Sequence, residues 1–559
     1  MTGDEIRQRF LGFFEKHGHA VVKSSSLLPG DPSVLLTTAG MQQFKPYYTG
    51  EADPQKDFGS KNTCSVQKSF RTSDIEEVGD ERHLTFFEML GNFSFGGYGK
   101  EEAIKLAHEF ITNEMNLPID YVTIFKGSGE VPKDEESKKI WENLGVKDVR
   151  EEGMDDVFWG PTGSAGPCGP TTEIYCKNGA GEAIEVWNLV FNQFYFPGTR
   201  EELLAGNSGK KLELLKQFGV DTGMGLERLA MIAQKTSNIF ETDLFKPLID
   251  LLPADLPVEK KGLVADHARA CTFLIADGVR PDNKGAGYIL RRLLRRALAQ
   301  IKATEFELLV DMVIKKYQAQ YPELNSAVFE VVKVESEQFS LTLEQGLKEL
   351  KKLKTIDVPA AFHLYQTYGL PFDVIKDYAP DLDQKAFEAE FKKHQEVSRQ
   401  GLEKKFAGGL ADHEPATIKL HTAHHLLLAA LQQVLGKSVK QRGSNITGER
   451  LRIDFSFDRK LTPEELVEVE KIVNEKIKED LPVENKKMPK VEAEKLGAQM
   501  EFGQKYGETV SVYIMGEFSK EFCGGPHVAH TSELGKFKIK KEEAVAAGIR
   551  RIKAVLLDE

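Results

Sequence analysis

A chain of 559 residues has room for three or four domains at about 150 residues apiece, each with its own core, so a lone binding module is a poor fit. With 41% hydrophobic and 29% charged residues it is neither disordered nor fibrous. Its 74 basic residues against 86 acidic ones, a net charge of −12, restrict any nucleic-acid contact to a local basic face.

The five cysteines, Cys64, Cys168, Cys176, Cys271 and Cys523, are odd in number and scattered over the chain. That is no disulfide framework, and it fits a reducing cytoplasm. The opening MTGDEIRQRFLGFFEKHG carries charge every few residues and reads as neither a signal peptide nor a targeting helix. No apolar run reaches the roughly 18 residues of a membrane span, so no membrane partner is expected.

In chain order, residues 1–237 mix β-rich runs such as EAIEVWNLVFNQFYF with Gly/Pro punctuation such as FWGPTGSAGPCGP, the pattern of an α+β domain with functional loops. Within it Arg71 opens a polar connection, RTSDIEEVG, that leads to the strand-like LTFFEMLGNFSF. Phe86 and Phe87 should fall there on opposite strand faces, one in the core and one outward. Further on, the glycines of TGMGLERLA allow a ligand close to the backbone before a helix begins at Leu226, and Arg228 projects from its first turn. An arginine beside a helix N-terminus suits a polyphosphate, and an aromatic face suits a base. The same string also fits glycines used for helix packing and an arginine in a surface ion pair.

Residues 238–405 lose their glycines and take helical spacing. There NKGAGYILRRLLRRALAQIKAT holds basic residues and no acid, with Arg291 and Arg295, and Arg292 and Arg296, stacked at i, i+4. Such a stripe is either a directed RNA phosphate contact or a helix paired to acids from elsewhere.

FAGGLADHEPAT breaks the pattern, and residues 406–559 combine the helix HTAHHLLLAALQQVL with strand-like LRIDFSF and VSVYIM. His421 and His425 lie at i, i+4 on one helix face, while Cys523 and His527 flank a Gly-Gly-Pro turn in FCGGPH. One thiolate and three imidazoles make a tetrahedral zinc set. His424 stands beside them with no ligand role. Lys536, Lys538 and Lys540 alternate with Phe537 and Ile539, a basic strand face that either guides an RNA end or protects an edge.

SSSLLPGDPSVLLTTAGMQQFKPYYTG, LTFFEMLGNFSFGGY, FWGPTGSAGPCGPTTEIY, EVWNLVFNQF and VDTGMGLERLA together resemble the class II aminoacyl-tRNA synthetases, and among them the alanyl-tRNA synthetase family. The resemblance implies an α+β architecture: an antiparallel-sheet catalytic domain over 1–237, a helical tRNA-recognition domain over 238–405 and a zinc-containing editing domain over 406–559. It implies activation of alanine by ATP with Mg²⁺, then transfer of alanine to tRNA(Ala). Arg71 then matches the residue on the α-phosphate, Arg228 the one on the γ-phosphate, and Phe87 the ring stacked on adenine. Trp159 and Asn188 match the walls of the alanine pocket, and Asp221, beside Gly223, the partner of the substrate's amino group. An aspartate so close to a helix start is also a plausible cap. Asn283 and Asp373 match the residues that read a guanine–uracil pair in the acceptor stem, with Arg291 and Arg295 on the stripe nearby.

His421, His425, Cys523 and His527 match the zinc ligands of the editing domain that this family shares with free-standing deacylases. Such a domain has a physical reason. Glycine lacks one methyl, worth only about 1–3 kcal/mol of discrimination, and serine adds a hydroxyl that a small pocket rejects weakly. Hydrolysis of seryl- or glycyl-tRNA(Ala) repairs the error, with zinc either activating water or holding the tRNA end. Gln441 and Arg442 fit a substrate contact and a solvent-facing strand equally well.

The sequence departs from the family pattern in two ways. TSDIEEVG follows Arg71 at once, without the family's longer loop and its lysine. The small β-barrel usually inserted before the editing domain, and the coiled coil and globular domain that usually follow it, have no counterpart here, so a monomer is expected. Two rival readings are an editing-only hydrolase and a non-catalytic RNA-binding protein. The presence of Arg71, Asp221 and Arg228 favours the ligase.

Overall fold

The computed structural model describes residues 1–393 and 414–557, apart from positions 32, 130, 207, 354, 392, 500–508 and 547. The chain forms two compact units, Met1–Asp383 and Gln384–Glu559.

The first unit is built on one mixed sheet. Its strands are β1 (Ala20–Val21), β2 (Asn62–Phe70), β3 (Phe86–Phe95), β4 (Tyr121–Phe125), β5 (Val149–Glu152), β6 (Phe158–Trp159), β7 (Gly166–Lys177), β8 (Ala183–Phe196) and β9 (Glu213–Gly225). The order is β1-β2-β3-β9-β8-β7-β4-β5, with β6 on β7. Pairing is antiparallel except for β1 with β2 and β4 with β5. Strand β3 is buried on both faces except at half-exposed Phe87, which explains its near-continuous apolar run.

One face of the sheet is covered by the helix Gly3–Lys16, started by a capping box between Thr2 and Glu5. Its Phe10 and Phe14 pack at 6.1 and 6.2 Å on the ring of Trp187 in β8.

The helices Val258–Ala276, Gly285–Leu298, Ala303–Tyr317 and Ala327–Leu350 supply the helical region expected after residue 237. They belong to the same compact unit as the sheet, so residue 237 does not separate compact units. Phe86 stacks on Phe273 of the helix Val258–Ala276 at 4.2 Å. Beneath that stack lies a wholly buried charge cluster. Arg7 donates to Glu88 at 2.8 Å, Arg269 pairs with Glu227 and donates to Glu88 at 3.3 Å, and the Tyr321 hydroxyl donates to Glu88 at 2.8 Å. These residues tie the first helix, β3, the helix Leu226–Gln234 and the helical region together. Deleting one member strands its partners' charge, at a cost of about 3–5 kcal/mol.

The second unit has the helix Pro415–Leu435 and the helix Pro463–Lys478 with a four-stranded sheet: β10 (Gln441–Ile446), β11 (Leu451–Ser456), β15 (Lys536–Ala546) and β16 (Ile549–Leu557), in the order β10-β11-β16-β15. Its core includes Leu427, Leu431, Ile453, Phe455, Val473, Phe537 and Ile552. A second sheet joins β12 (Val483–Pro489), β13 (Thr509–Met515) and β14 (Ser519–Phe522). β15 is an edge strand, and its Lys538 pairs with Glu470 at 2.8 Å. Among the described residues no helix is long and apolar enough to cross a membrane.

Candidate functional site

Register fixes which residues share a sheet face. Phe93 and Val190 stand opposite Asp221, Met89 opposite Gly225, Asn188 opposite Gly223, and Glu173 opposite Asn188. Opposite residues point to the same side, and so do residues two apart on a strand. Phe87, Met89, Phe93, Asp221, Gly223, Asn188 and Glu173 therefore lie on one face.

At one end of that face Arg71, Phe87, Gly223 and Arg228 line a single cavity together with Asp74, Arg82 and Glu185. The connection from Arg71 to Thr85 is held at several points. Arg71 N–H donates to the Thr85 carbonyl at 2.9 Å, Thr85 N–H donates to Asp266 at 2.9 Å, and Arg296 donates to the Ile75 carbonyl at 2.8 Å. The Arg71 guanidinium lies 5.0 Å from the centre of the Phe87 ring. Burial lowers the Arg71 pKa, with Asp74 opposing and Arg228 adding to the effect. Arg228 sits in the first turn of the helix Leu226–Gln234 and donates to the Glu185 carboxylate at 3.1 Å and the Glu185 carbonyl at 3.2 Å. Two arginines and an aromatic face thus border one space, with the carboxylates of Asp74 and Glu185 as oxygen donors. Those donors fit Mg²⁺, which is usually held by one or two carboxylates plus substrate phosphates.

Asp221 is no cap: it lies within β9, and Gly225 occupies the N-cap position with no side-chain bond. Its carboxylate is buried, burial pushes its pKa up to about 7, and among the described residues no hydrogen bond or ion pair reaches it. Gly223 lies against Met89, where an added Cβ would approach the sulfur to 2.9 Å. Asn188 donates to Glu173 at 2.9 Å while its Oδ1 has no partner among the described residues, and burial raises the Glu173 pKa. Trp159 lines a neighbouring cavity, with Arg200 over its ring at 5.8 Å, and packs on the Phe44, Met89 and Phe93 cluster. Glu185 and Arg82 were not foreseen. The signal for Glu185 was its place at the start of EVWNLVFNQF, ahead of the expected pocket residue Asn188.

On the helix Gly285–Leu298 each of the four arginines is paired. Arg291 and Arg295 share Glu335 at 3.3 and 3.0 Å, and Arg292 and Arg296 share Glu76. Arg291 also donates to Asn283 Oδ1 at 2.5 Å. Asp373 is the second residue of the helix Phe372–Tyr378, and its side chain lies outside the described residues.

In the second unit, ligand atoms of His421, His425, Cys523 and His527 all lie within 4.8 Å of one another. The helix Pro415–Leu435 carries the first two, and the turn after β14 carries the others. Cys523 Sγ is 3.4 Å from His421 Nε2 and 3.5 Å from His527 Nε2. A tetrahedral zinc with Zn–S of about 2.3 Å and Zn–N of about 2.0–2.1 Å sets that separation near 3.6 Å. Each imidazole meets a partner through Nδ1: His421 donates to the Pro526 carbonyl at 3.0 Å, His425 to Glu521 at 2.5 Å, and His527 lies 3.1 Å from the Thr422 hydroxyl. Such outer contacts orient metal-ligating imidazoles. Burial opposes ionisation of Cys523, yet hydrogen bonds from the imidazoles pull its pKa down to about 2. The donor set fits zinc.

A family model described as tRNA synthetases class II (A) matches residues 5–433, which include His421 and His425. A second, described as the Threonyl and Alanyl tRNA synthetase second additional domain, matches 510–553, which include Cys523 and His527. The chain belongs to the class II tRNA synthetases. Within this family it is 44% identical over 608 residues to the alanine–tRNA ligase of Borreliella afzelii (strain PKo), covering 100% of both chains. It is 41% identical over 609 residues to that of Treponema pallidum (strain Nichols), covering 100% of this chain and 98% of the relative. The alanine–tRNA ligase of Dehalococcoides mccartyi (strain ATCC BAA-2266 / KCTC 15142 / 195) is 36% identical, with 99% of this chain covering 80% of its length. As a class II synthetase the chain is an aminoacyl-tRNA ligase enzyme.

Proposed function

We propose that the chain joins alanine to tRNA(Ala) in two steps, alanyl-adenylate formation from ATP and transfer to the tRNA 3′ end, and that its second unit hydrolyses seryl- or glycyl-tRNA(Ala). The carrying observation is the cavity bordered by Arg71, Arg228 and Phe87, joined to end-to-end likeness to alanine–tRNA ligases.

In that cavity Phe87 offers its face to adenine, Arg71 meets the α-phosphate and Arg228 the γ-phosphate. The alanine carboxylate attacks the α-phosphorus, the bond to pyrophosphate breaks, and negative charge grows on the phosphoryl oxygens. Preorganised arginines stabilise that charge without a protein nucleophile. Asp74 and Glu185 would hold Mg²⁺, which neutralises phosphate charge when bound. Asp221, buried and without a side-chain hydrogen bond or ion pair among the described residues, is a seat for the substrate ammonium. Trp159 and Asn188 bound the space for the small side chain. Asn283, Asp373, Arg291 and Arg295 belong to the acceptor-stem contact, which for the two arginines means partial release from Glu335.

In the second unit His421, His425, Cys523 and His527 would hold zinc, which supplies either an activated water or an anchor for the tRNA end. We also propose that the protein works in the cytoplasm as a monomer. Light scattering should give a mass near 62.6 kDa, and twice that value would refute the monomer. The functional reading is tested by charging tRNA(Ala) with labelled alanine and following the decay of seryl-tRNA(Ala). Absence of charging overturns the ligase reading, and stable seryl-tRNA(Ala) overturns the editing reading.

A further inference from the structure

His424 is not among the four clustered ligands, yet it lies three residues after His421 and so shares that helix face. It is 2% exposed and lines the cavity beside the cluster, together with Gln441 and Glu521. Neither ring nitrogen has a hydrogen-bond partner among the described residues. Buried polar side chains are nearly always paired, and one with both a donor and an acceptor unmet beside a cavity marks a place where a ligand completes the bonding. The neighbouring imidazoles make the contrast plain, because His421, His425 and His527 all have Nδ1 contacts.

We infer that His424 is a specificity-determining residue that reads the side-chain hydroxyl of a serine carried wrongly by the tRNA. The inference rests on the editing reading above. A neutral imidazole presents a donor at one ring nitrogen and an acceptor at the other, and an alcohol can answer whichever faces it. Glycine offers nothing to answer it, and alanine offers a methyl. A buried site built to hydrogen-bond a hydroxyl discriminates against the analogue that lacks it far more strongly than a pocket sensing one methyl, because the site's own polar groups are then left unpaired. The seryl ester therefore gains a hydrogen bond at one ring nitrogen on entry that neither the glycyl nor the alanyl ester can make, so His424 sets the preference for serine over both. In the hydrolysis itself water adds to the ester carbonyl, the bond to the ribose oxygen breaks, and the ribose oxygen takes the proton. Free serine and uncharged tRNA result, and His424 moves no proton.

The test compares the full chain with His424→Leu, similar in size and apolar, and His424→Gln, which keeps a donor and an acceptor, on seryl-, glycyl- and alanyl-tRNA(Ala). Zinc content is measured for each. With zinc retained, His424→Leu should slow seryl-tRNA hydrolysis on the order of 100-fold and leave glycyl- and alanyl-tRNA hydrolysis within about threefold, while His424→Gln recovers much of the serine rate. Parallel loss on seryl- and glycyl-tRNA, or no change on either, overturns the role of His424. A wild-type chain that hydrolyses neither overturns the editing reading itself.

Discussion

The Arg228 guanidinium donates to the Glu185 carboxylate at 3.1 Å on the wall of the cavity that also holds Arg71 and Phe87. The arginine proposed for the γ-phosphate is seated by an acid that lines the same cavity. Glu185→Gln keeps the hydrogen bond's acceptor but removes the charge. It should raise the magnesium concentration for half-maximal pyrophosphate exchange severalfold. An unchanged magnesium dependence would leave Glu185 with the seating of Arg228 alone.

Asp221 gives a pH prediction. Burial raises its pKa from the ordinary 3.8 to about 7, so in the free enzyme it is protonated below pH 7 and ionised above. Only the ionised form attracts the substrate ammonium. The kcat/KM for alanine at saturating ATP should fall about tenfold per pH unit below that value, and Asp221→Asn should abolish the limb along with most of the activity. The stability linkage has the opposite trend. The raised folded-state pKa contributes stability fully below about 3.8 and loses it as pH rises through about 7. A flat alanine profile between pH 6 and 8 would contradict the ammonium assignment.

The stripe on the helix Gly285–Leu298 makes a sharper claim than its charge alone. Arg291 shares Glu335 with Arg295 and donates to Asn283, so it has a structural task whether or not RNA binds. Arg291→Ala should raise the KM for tRNA severalfold while leaving alanine activation measured without tRNA within twofold, since one ion-pair contact to a phosphate is worth about 1 kcal/mol. If the KM for tRNA stays put, the arginine serves only its ion pairs.

How legible this was in the sequence depended on the distance over which each feature is determined. The alternation of Phe86 and Phe87 and the helix beginning at Leu226 follow from local spacing, and the structure has them where the sequence puts them. The clustering of His421 and His425 with Cys523 and His527 was legible because i, i+4 on a helix and a Gly-Gly-Pro turn are local geometry. The acids that pair the basic stripe were not, because Glu76 and Glu335 reach it from 216 and 40 residues away. The same applies to the boundary after residue 237. Composition changes there, but Glu88, Glu227 and Arg269 bind the two regions through buried charges that no local pattern reveals. His424 looked inert beside two ligands, and only its burial and its cavity give it a task.

The zinc set should be separable from activation. Purified protein should carry about one zinc, and Cys523→Ala should lose it and slow seryl-tRNA hydrolysis by at least tenfold. Alanine activation should remain within twofold, because the His/Cys cluster and the cavity lined by Arg71 and Arg228 lie in different compact units. Because metal binding also stabilises its fold, circular dichroism and a thermal scan accompany the assay. A folded variant that clears seryl-tRNA at the wild-type rate would remove the cluster from the hydrolysis.

The most direct measurement is ATP–pyrophosphate exchange with each amino acid in turn, on the wild-type chain and on Arg228→Ala and Asp221→Ala. Alanine should give the strongest exchange, serine and glycine weaker signals, and both variants should lose about 100-fold or more with the fold intact. Exchange driven best by another amino acid, or left at the wild-type rate in both folded variants, would contradict the assignment of this cavity to alanine activation.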